Sequence, residues 1–217
     1  MPNVREDKDR ARQPRQARAK ERFDQVLDTA RGVLRAEGLA GFSIPVLADR
    51  LGYTRASIYK FFPTPQAILN ELVQQDLAEL EARLTTRASD LLSRDWRHTL
   101  REIVLRAAKF YNANPVARLL VLGRPTSDDS YRALEITIQH LGGLTRELLL
   151  TRGIVVPRHK PDAATLLVEI GTTCFRLSQY LHGEITPEYM EEAVQAMTAY
   201  LSRYATGSER LRKAANE

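Results

Sequence analysis

Thr54, Arg55, Ala56, Ser57, Tyr59 and Lys60 fall in one short stretch, and their side chains suit contact with a nucleic-acid duplex better than bond-making chemistry. If that stretch is helical, its first turn, Thr54 to Ser57, is the part that faces base edges when a helix lies in a major groove. Arg55 carries a planar guanidinium that matches guanine O6 and N7 with two hydrogen bonds; the same group can instead lie along a phosphate. Ala56 offers only a methyl, which packs on a thymine methyl or leaves clearance. Lys60 brings charge to a base or a phosphate. Ser43 and Thr64 can each turn backbone N–H groups at a helix start toward a phosphate.

Catalytic constellations fare worse. His98, His140, His159 and His182 are scattered, with no two at a metal-binding spacing on one helical turn. Cys174 and His182 lie too far apart along one predicted helix to form a nucleophile–base pair. Asp128 and Asp129 lie in a loop at a helix start, where they read as capping and charge. No glycine-rich phosphate loop occurs.

Two short helices must position the reading residues. The stretch SIPVLADRLGYTRASIYKFF, Ser43 to Phe62, supplies them. Ser43 caps the first, Pro45 occupies its first turn, and Val46, Leu47, Ala48 and Leu51 form its packing side. Gly52 breaks it and tolerates a positive φ. Thr54 caps the second, expected from Arg55 to about Phe62, with Ile58 as its inward anchor and Phe61 and Phe62 as core. Ala48 is small where the helices cross. This is a helix-turn-helix. A helix before it carries Phe23, Val26, Leu27, Ala30, Val33 and Leu34 on one face, and ends at Gly38 and Gly41.

Residues from about Lys20 to Leu80 resemble the DNA-binding domain of the TetR family of transcriptional regulators. The resemblance is carried by RFDQVLDTARGVLRAEG, by the Gly-Phe pair before Ser43, by LADRLGYTRASIYKFF, and by Pro63, Thr64 and the new helix at Ile68-Leu69. Two positions depart from the family: Pro65 stands where a Lys often meets a phosphate, and Phe61 where a His is common. The resemblance implies that Tyr59, one turn on from Arg55, gives its hydroxyl to a phosphate; the alternative is packing against the first helix. It also implies a helical second domain with a ligand cavity, and a dimer built as a four-helix bundle across a twofold axis.

The charge distribution agrees. The chain carries a formal net charge of +5. Residues 1–63 contain 13 Lys/Arg and 8 Asp/Glu, and the remainder has 19 of each, so the whole excess lies with the helix-turn-helix. Residues 1–19 are polar and without apolar periodicity, and are expected to be disordered without DNA. Arg12, Arg15, Arg18 and Lys20 of this arm would follow the backbone or enter a minor groove. The single cysteine, Cys174, excludes an intrachain disulfide and fits a reducing compartment. No stretch reads as a signal peptide or a membrane span, so the expected location is cytoplasmic with no membrane partner.

Three parts are expected: a basic arm over 1–19, the reading domain over 20–63, and a helical regulatory and dimerisation domain over 64–217. The last begins with a Thr64-Pro65 cap and a helix carrying Ile68, Leu69, Leu72, Val73, Leu77, Leu80 and Leu84. Further helices are expected at about Asp95–Asn112, after Pro115, at about Asp128–Thr151 with a weak point at Gly142-Gly143, at Pro161–Leu181, and at Pro187–Tyr204; GRPTSDDS reads as a loop. In the penultimate helix, Leu167, Ile170, Cys174, Leu177 and Leu181 line one side, and Gly171, Thr172, Phe175 and Ser178 a second. The last has a stripe of Met190, Val194, Met197, Leu201 and Tyr204. Helices apolar on two faces must bury both, against the core and a twofold mate, or wholly inside.

Candidate ligand-lining residues are Trp96, Phe110, Tyr111, Arg118, His140, Glu169, Cys174 and Phe175, which place large or ionisable groups in apolar segments. The expectation is therefore an all-α chain of about nine helices: a homodimeric, sequence-specific regulator of transcription, repressing from an inverted-repeat operator in double-stranded DNA until a small organic ligand releases it. No cofactor, metal or catalysis is expected. The alternatives are an activator, an architectural or cell-division factor governed by a protein partner, and an enzyme on a borrowed fold.

Overall fold

The computed structural model describes residues 9–85, 95–123, 128–151, 154–158 and 161–214. They form nine helices and no strand: α1 Ala17–Glu37, α2 Ile44–Leu51, α3 Arg55–Tyr59, α4 Pro65–Thr85, α5 Trp96–Ala113, α6 Pro115–Leu122, α7 Asp128–Thr151, α8 Ala163–His182 and α9 Pro187–Ala214. None of the described helices is long and apolar enough to cross a membrane. The chain divides into two compact units. The first is Met1–Ala78 with Asn114–Val121, and the second is Glu79–Ala113 with Leu122–Glu217.

The first unit is organised by the apolar face of α1. All six predicted inward residues, Phe23, Val26, Leu27, Ala30, Val33 and Leu34, are buried. They meet Ile44, Leu47 and Ala48 of α2, Ile58 of α3, Phe62, and Ala67, Ile68 and Leu72 of α4. Phe62 stacks on Phe23 with ring centroids 4.6 Å apart, and Phe61 meets Phe23 edge-on at 6.0 Å. Val116 of α6 completes this core, with Leu119 and Leu120 beside it. A division at residue 63/64 is thus not what the structure shows. The apolar stripe of α4 that reads as the start of a second domain spends Ala67, Ile68 and Leu72 in the first core, and α6 returns to it from a distant part of the chain.

The basic arm also differs from expectation. Residues 9–16 lie against the first unit, with Ala11 packed on the core and the Arg12 N–H donating to the Phe61 carbonyl at 2.7 Å. The short α3 leaves that carbonyl without a helical partner, and the arm supplies one. Residues 1–8 lie outside the described residues, as do 124–127 of the predicted GRPTSDDS loop. Asp128 and Asp129, expected in a loop, form the first turn of α7.

In the second unit, close approaches explain the small residues. Gly142 is buried where α7 meets α8, and a Cβ there would fall 3.1 Å from the Thr165 Cα. The Gly142-Gly143 pair therefore does not break α7, which runs through it. Gly171 lets α8 approach Met197 of α9, leaving a Cβ only 2.5 Å from its sulfur. Ser178 is fully buried. Its hydroxyl donates to the Glu184 carbonyl at 2.8 Å and accepts from the Thr186 N–H at 2.9 Å. Asn112 of α5 grips the same turn through both backbone groups of Ile185, at 2.8 and 2.9 Å. These bonds satisfy polar groups that burial would otherwise strand.

Arg146 of α7 is a buried cation of this unit, 8% exposed. It donates to the carbonyls of Val156 and Pro157 at 3.0 and 3.3 Å and pairs with Asp162, the N-cap of α8. Burial pushes the Asp162 carboxyl up. Hydrogen bonds from the Thr165 backbone and side chain, with the Arg146 charge, outweigh it and hold the group below the usual carboxylate range.

Candidate nucleic-acid interface

The reading helix α3 has only five residues, too few to persist alone. Three features hold it. Gly52 takes the left-handed conformation, φ 63° and ψ 28°, and donates to the Ala48 and Asp49 carbonyls, ending α2 in a sharp turn. Thr54 Oγ1 accepts from the Ser57 N–H at 3.3 Å, while the Ser57 hydroxyl donates to the Thr54 carbonyl at 2.6 Å. Ile58 is fully buried and anchors the inner side. The helix ends at Tyr59, short of the predicted Phe62. Lys60 is its C-cap, and Phe62 turns into the core behind it.

This anchoring leaves Arg55, Ala56, Tyr59 and Lys60 exposed. Arg55 and Tyr59 form one i, i+4 row, and Ala56 and Lys60 the adjacent row, opposite Ile58. Tyr59 is 44% exposed, which leaves its ring accessible. No acidic side chain among the described residues pairs with Arg55 or Lys60. Thr54 and Ser57 spend their hydroxyls on each other's turn. Ser43 Oγ accepts from the Val46 N–H at 3.4 Å as the N-cap of α2. Thr64 caps α4, accepting from the Ala67 N–H at 3.1 Å, and its own hydroxyl proton goes to Asp9 at 2.7 Å.

The same unit exposes further cations: Arg10, Arg12, Arg15, Arg18, Lys20 and Arg22. Arg50, by contrast, is neutralised by Glu37. The tyrosine that does pack on α1 is Tyr53, which hydrogen-bonds Gln25 and lies under the Arg22 guanidinium at 5.7 Å. Sequence reading missed Arg22, Gln25 and Tyr53 because one aromatic and two polar residues on different elements leave no periodic signal. Ile44, fully buried, was missed because it precedes the proline that marks the helix start.

The eight residues proposed to line a ligand cavity do not form one set. Arg118 belongs to the first unit with α6, and the other seven to the second. His140 is exposed and faces Glu81 at 3.8 Å. Trp96, Phe110, Tyr111 and Phe175 are buried, and Phe110 and Tyr111 meet edge-on at 5.4 Å. Glu169 lies 4.0 Å from Arg176 on α8. Burial pushes the Cys174 thiol up, and the Glu192 carboxylate adds to that, which disfavours the nucleophilic thiolate. His159 lies outside the described residues. Among those described, no three His, Cys, Asp or Glu side chains converge as a metal site.

Residues 26–72 match the family model for bacterial regulatory proteins of the tetR family. The chain carries the N-terminal domain of that family, within the all-helical fold of TetR-family transcriptional regulators. A TetR-family transcriptional regulator from Streptomyces coelicolor superposes with a TM-score of 0.62 at 21% identity, over 84% of this chain and 99% of that one. Thermus thermophilus FadR, a TetR-family repressor in complex with lauroyl-CoA, gives 0.60 at 17% identity, over 80% and 92%. SmeT, repressor of the Stenotrophomonas maltophilia multidrug efflux pump SmeDEF, gives 0.59 at 17%, over 83% and 89%. No curated protein sequence matches the chain.

Proposed function

We propose that the protein is a homodimeric, sequence-specific DNA-binding regulator of transcription, acting as a repressor released from an inverted-repeat operator by a small organic ligand. The observation that carries the reading is the exposed face of α3. Arg55, Ala56, Tyr59 and Lys60 are exposed on a helix anchored by a fully buried Ile58, in a compact unit that exposes further arginines. Arg55 reads a guanine, Tyr59 and Lys60 meet phosphates, and the arm adds non-specific charge.

Support for the dimer lies on α8. Gly171, Phe175 and Ser178 turn inward as one side of the helix, while Leu166, Leu177, Tyr180 and Leu181 remain exposed along the opposite side, with Tyr180 at 68%. An apolar stripe of this kind marks an association surface, and a second copy would supply the twofold that an inverted repeat requires. Support for ligand release is the likeness to Thermus thermophilus FadR, a repressor whose structure holds lauroyl-CoA. Selection of duplexes from a random pool by the purified protein tests the reading. It should enrich an inverted repeat with half-sites about one helical turn apart. Enrichment of no sequence would refute it. A ligand that raises the melting temperature and lowers operator affinity would identify the effector.

A further inference from the structure

The basic arm is held to the first unit by an acid. Asp9 accepts the Thr64 hydroxyl proton on its Oδ1 at 2.7 Å, and its backbone carbonyl accepts from the Asn70 side-chain amide at 3.1 Å. Three residues on, the Arg12 N–H donates to the Phe61 carbonyl at 2.7 Å, and Gln13 then donates to Glu71 at 3.0 Å. Residues alternate along this stretch. Asp9 and Ala11 are partly buried against the unit, and Arg10 and Arg12 are exposed. The docked residues thus leave Arg10 and Arg12 on the solvent side of this stretch. The carboxylate also lies at the N-terminal end of α4, where the helix dipole favours a negative charge.

We infer that Asp9 is a positioning residue for DNA contact: it latches the arm beside the end of α3, so that Arg10 and Arg12 are presented outward before DNA arrives. This rests on the DNA-binding reading and gives it a counter-intuitive sign. An acid in a DNA-facing arm repels phosphate, so its removal would ordinarily tighten binding. A latch predicts the reverse, because a free arm must lose its conformational freedom on the DNA, whereas a docked one has already lost it.

The full-length chain carries the test. Asp9→Ala removes charge and acceptor together; Asp9→Asn removes the charge but keeps an oxygen that Thr64 can donate to. Asn70→Ala removes the other anchor with no change in charge. Without DNA, the Arg12 amide should exchange slowly in the wild type and rapidly in Asp9→Ala and Asn70→Ala. With the selected duplex, those two variants should bind more weakly, and the slope of log affinity against log salt should shrink by about two per reading head, one per disengaged arginine. Asp9→Asn should stay near the wild type. If Asp9→Ala and Asp9→Asn both tighten binding, the carboxylate only repels DNA and the inference fails. It also fails if Arg12 exchanges equally in all four proteins, or if Asp9→Ala leaves affinity and slope unchanged. Because exchange is read without DNA, a wild type that selects no sequence would overturn the DNA-binding reading while leaving the latch itself decided.

Discussion

Arg55→Ala should leave the fold intact and cost the protein much of its sequence preference. Arg55 is the first residue of α3, is exposed, and makes no ion pair among the described residues. Its removal breaks no ion pair among the described residues, and alanine is the better helix former, so stability should move by no more than about 0.5 kcal/mol. On DNA the loss is the bidentate guanine contact, about 1–3 kcal/mol of discrimination. A dimer makes that contact twice, so the selected inverted repeat should lose about 2–6 kcal/mol, roughly thirtyfold to twenty-thousandfold in affinity. Fluorescence anisotropy of the selected duplex and of single-base variants in each half-site measures it. The expected result is a flat preference at one position per half-site, with the others unchanged. Arg55→Lys should behave like the alanine variant at that position, since an ammonium keeps the charge but lacks the fork. Equal weakening on every sequence, with the salt slope reduced by about one per head, would make Arg55 a phosphate contact and refute the base-reading role. No change at all would remove α3 from the interface.

Other perturbations test the scaffold. Phe62→Ala should destabilise the first unit by about 3–5 kcal/mol in denaturant unfolding and abolish specific DNA binding, because Phe62 is fully buried on Phe23 just beyond a helix too short to hold itself. Gly142→Ala and Gly143→Ala should have opposite signs. The first forces a Cβ toward the Thr165 backbone and should lower stability by about 1–3 kcal/mol. The second meets nothing within 4 Å and should raise stability by up to about 1 kcal/mol, as helix propensity dictates. Asp162 has a lowered folded-state pKa, so its contribution is complete above the unfolded-state value of about 3.9 and is lost as pH falls through the folded value. Acid titration of thermal stability should therefore show a shallower decline below about pH 4 in Asp162→Asn than in the wild type; parallel curves would contradict the linkage.

Much of this architecture was legible in advance because it depends on local chemistry. Ser43 with Pro45, Gly52, Thr54 and Thr64-Pro65 each satisfy or terminate a helix end within a turn of themselves, so their roles follow from residue type. The α1 face was legible because helical periodicity states which side is apolar. The penultimate helix was legible only in part. Leu167, expected on one side with Leu177 and Leu181, is instead buried together with Gly171, Phe175 and Ser178, while Leu177 and Leu181 stay exposed; nothing local says where along an apolar helix the buried side ends. The arm reads as polar and unstructured because its anchors, Phe61, Thr64, Asn70 and Glu71, lie more than forty residues away. The ligand-lining candidates divide between the units for a related reason: composition names large and ionisable groups but not the unit each belongs to, and Arg118 went with the first.

The sequence by itself determined the helices, their caps, and the residues α3 can offer to DNA, since those depend on backbone groups and side chains within a turn of one another. Tertiary structure alone decided where the first unit ends, that α6 returns to its core through Val116, and that Arg146 is buried against Asp162. It also decided that Gly142 is a contact rather than a break, and that Asp9 turns inward while Arg10 and Arg12 face out. Each of these is a pairing between segments distant along the chain, settled by which surfaces can be buried together and which polar groups must find partners once they are.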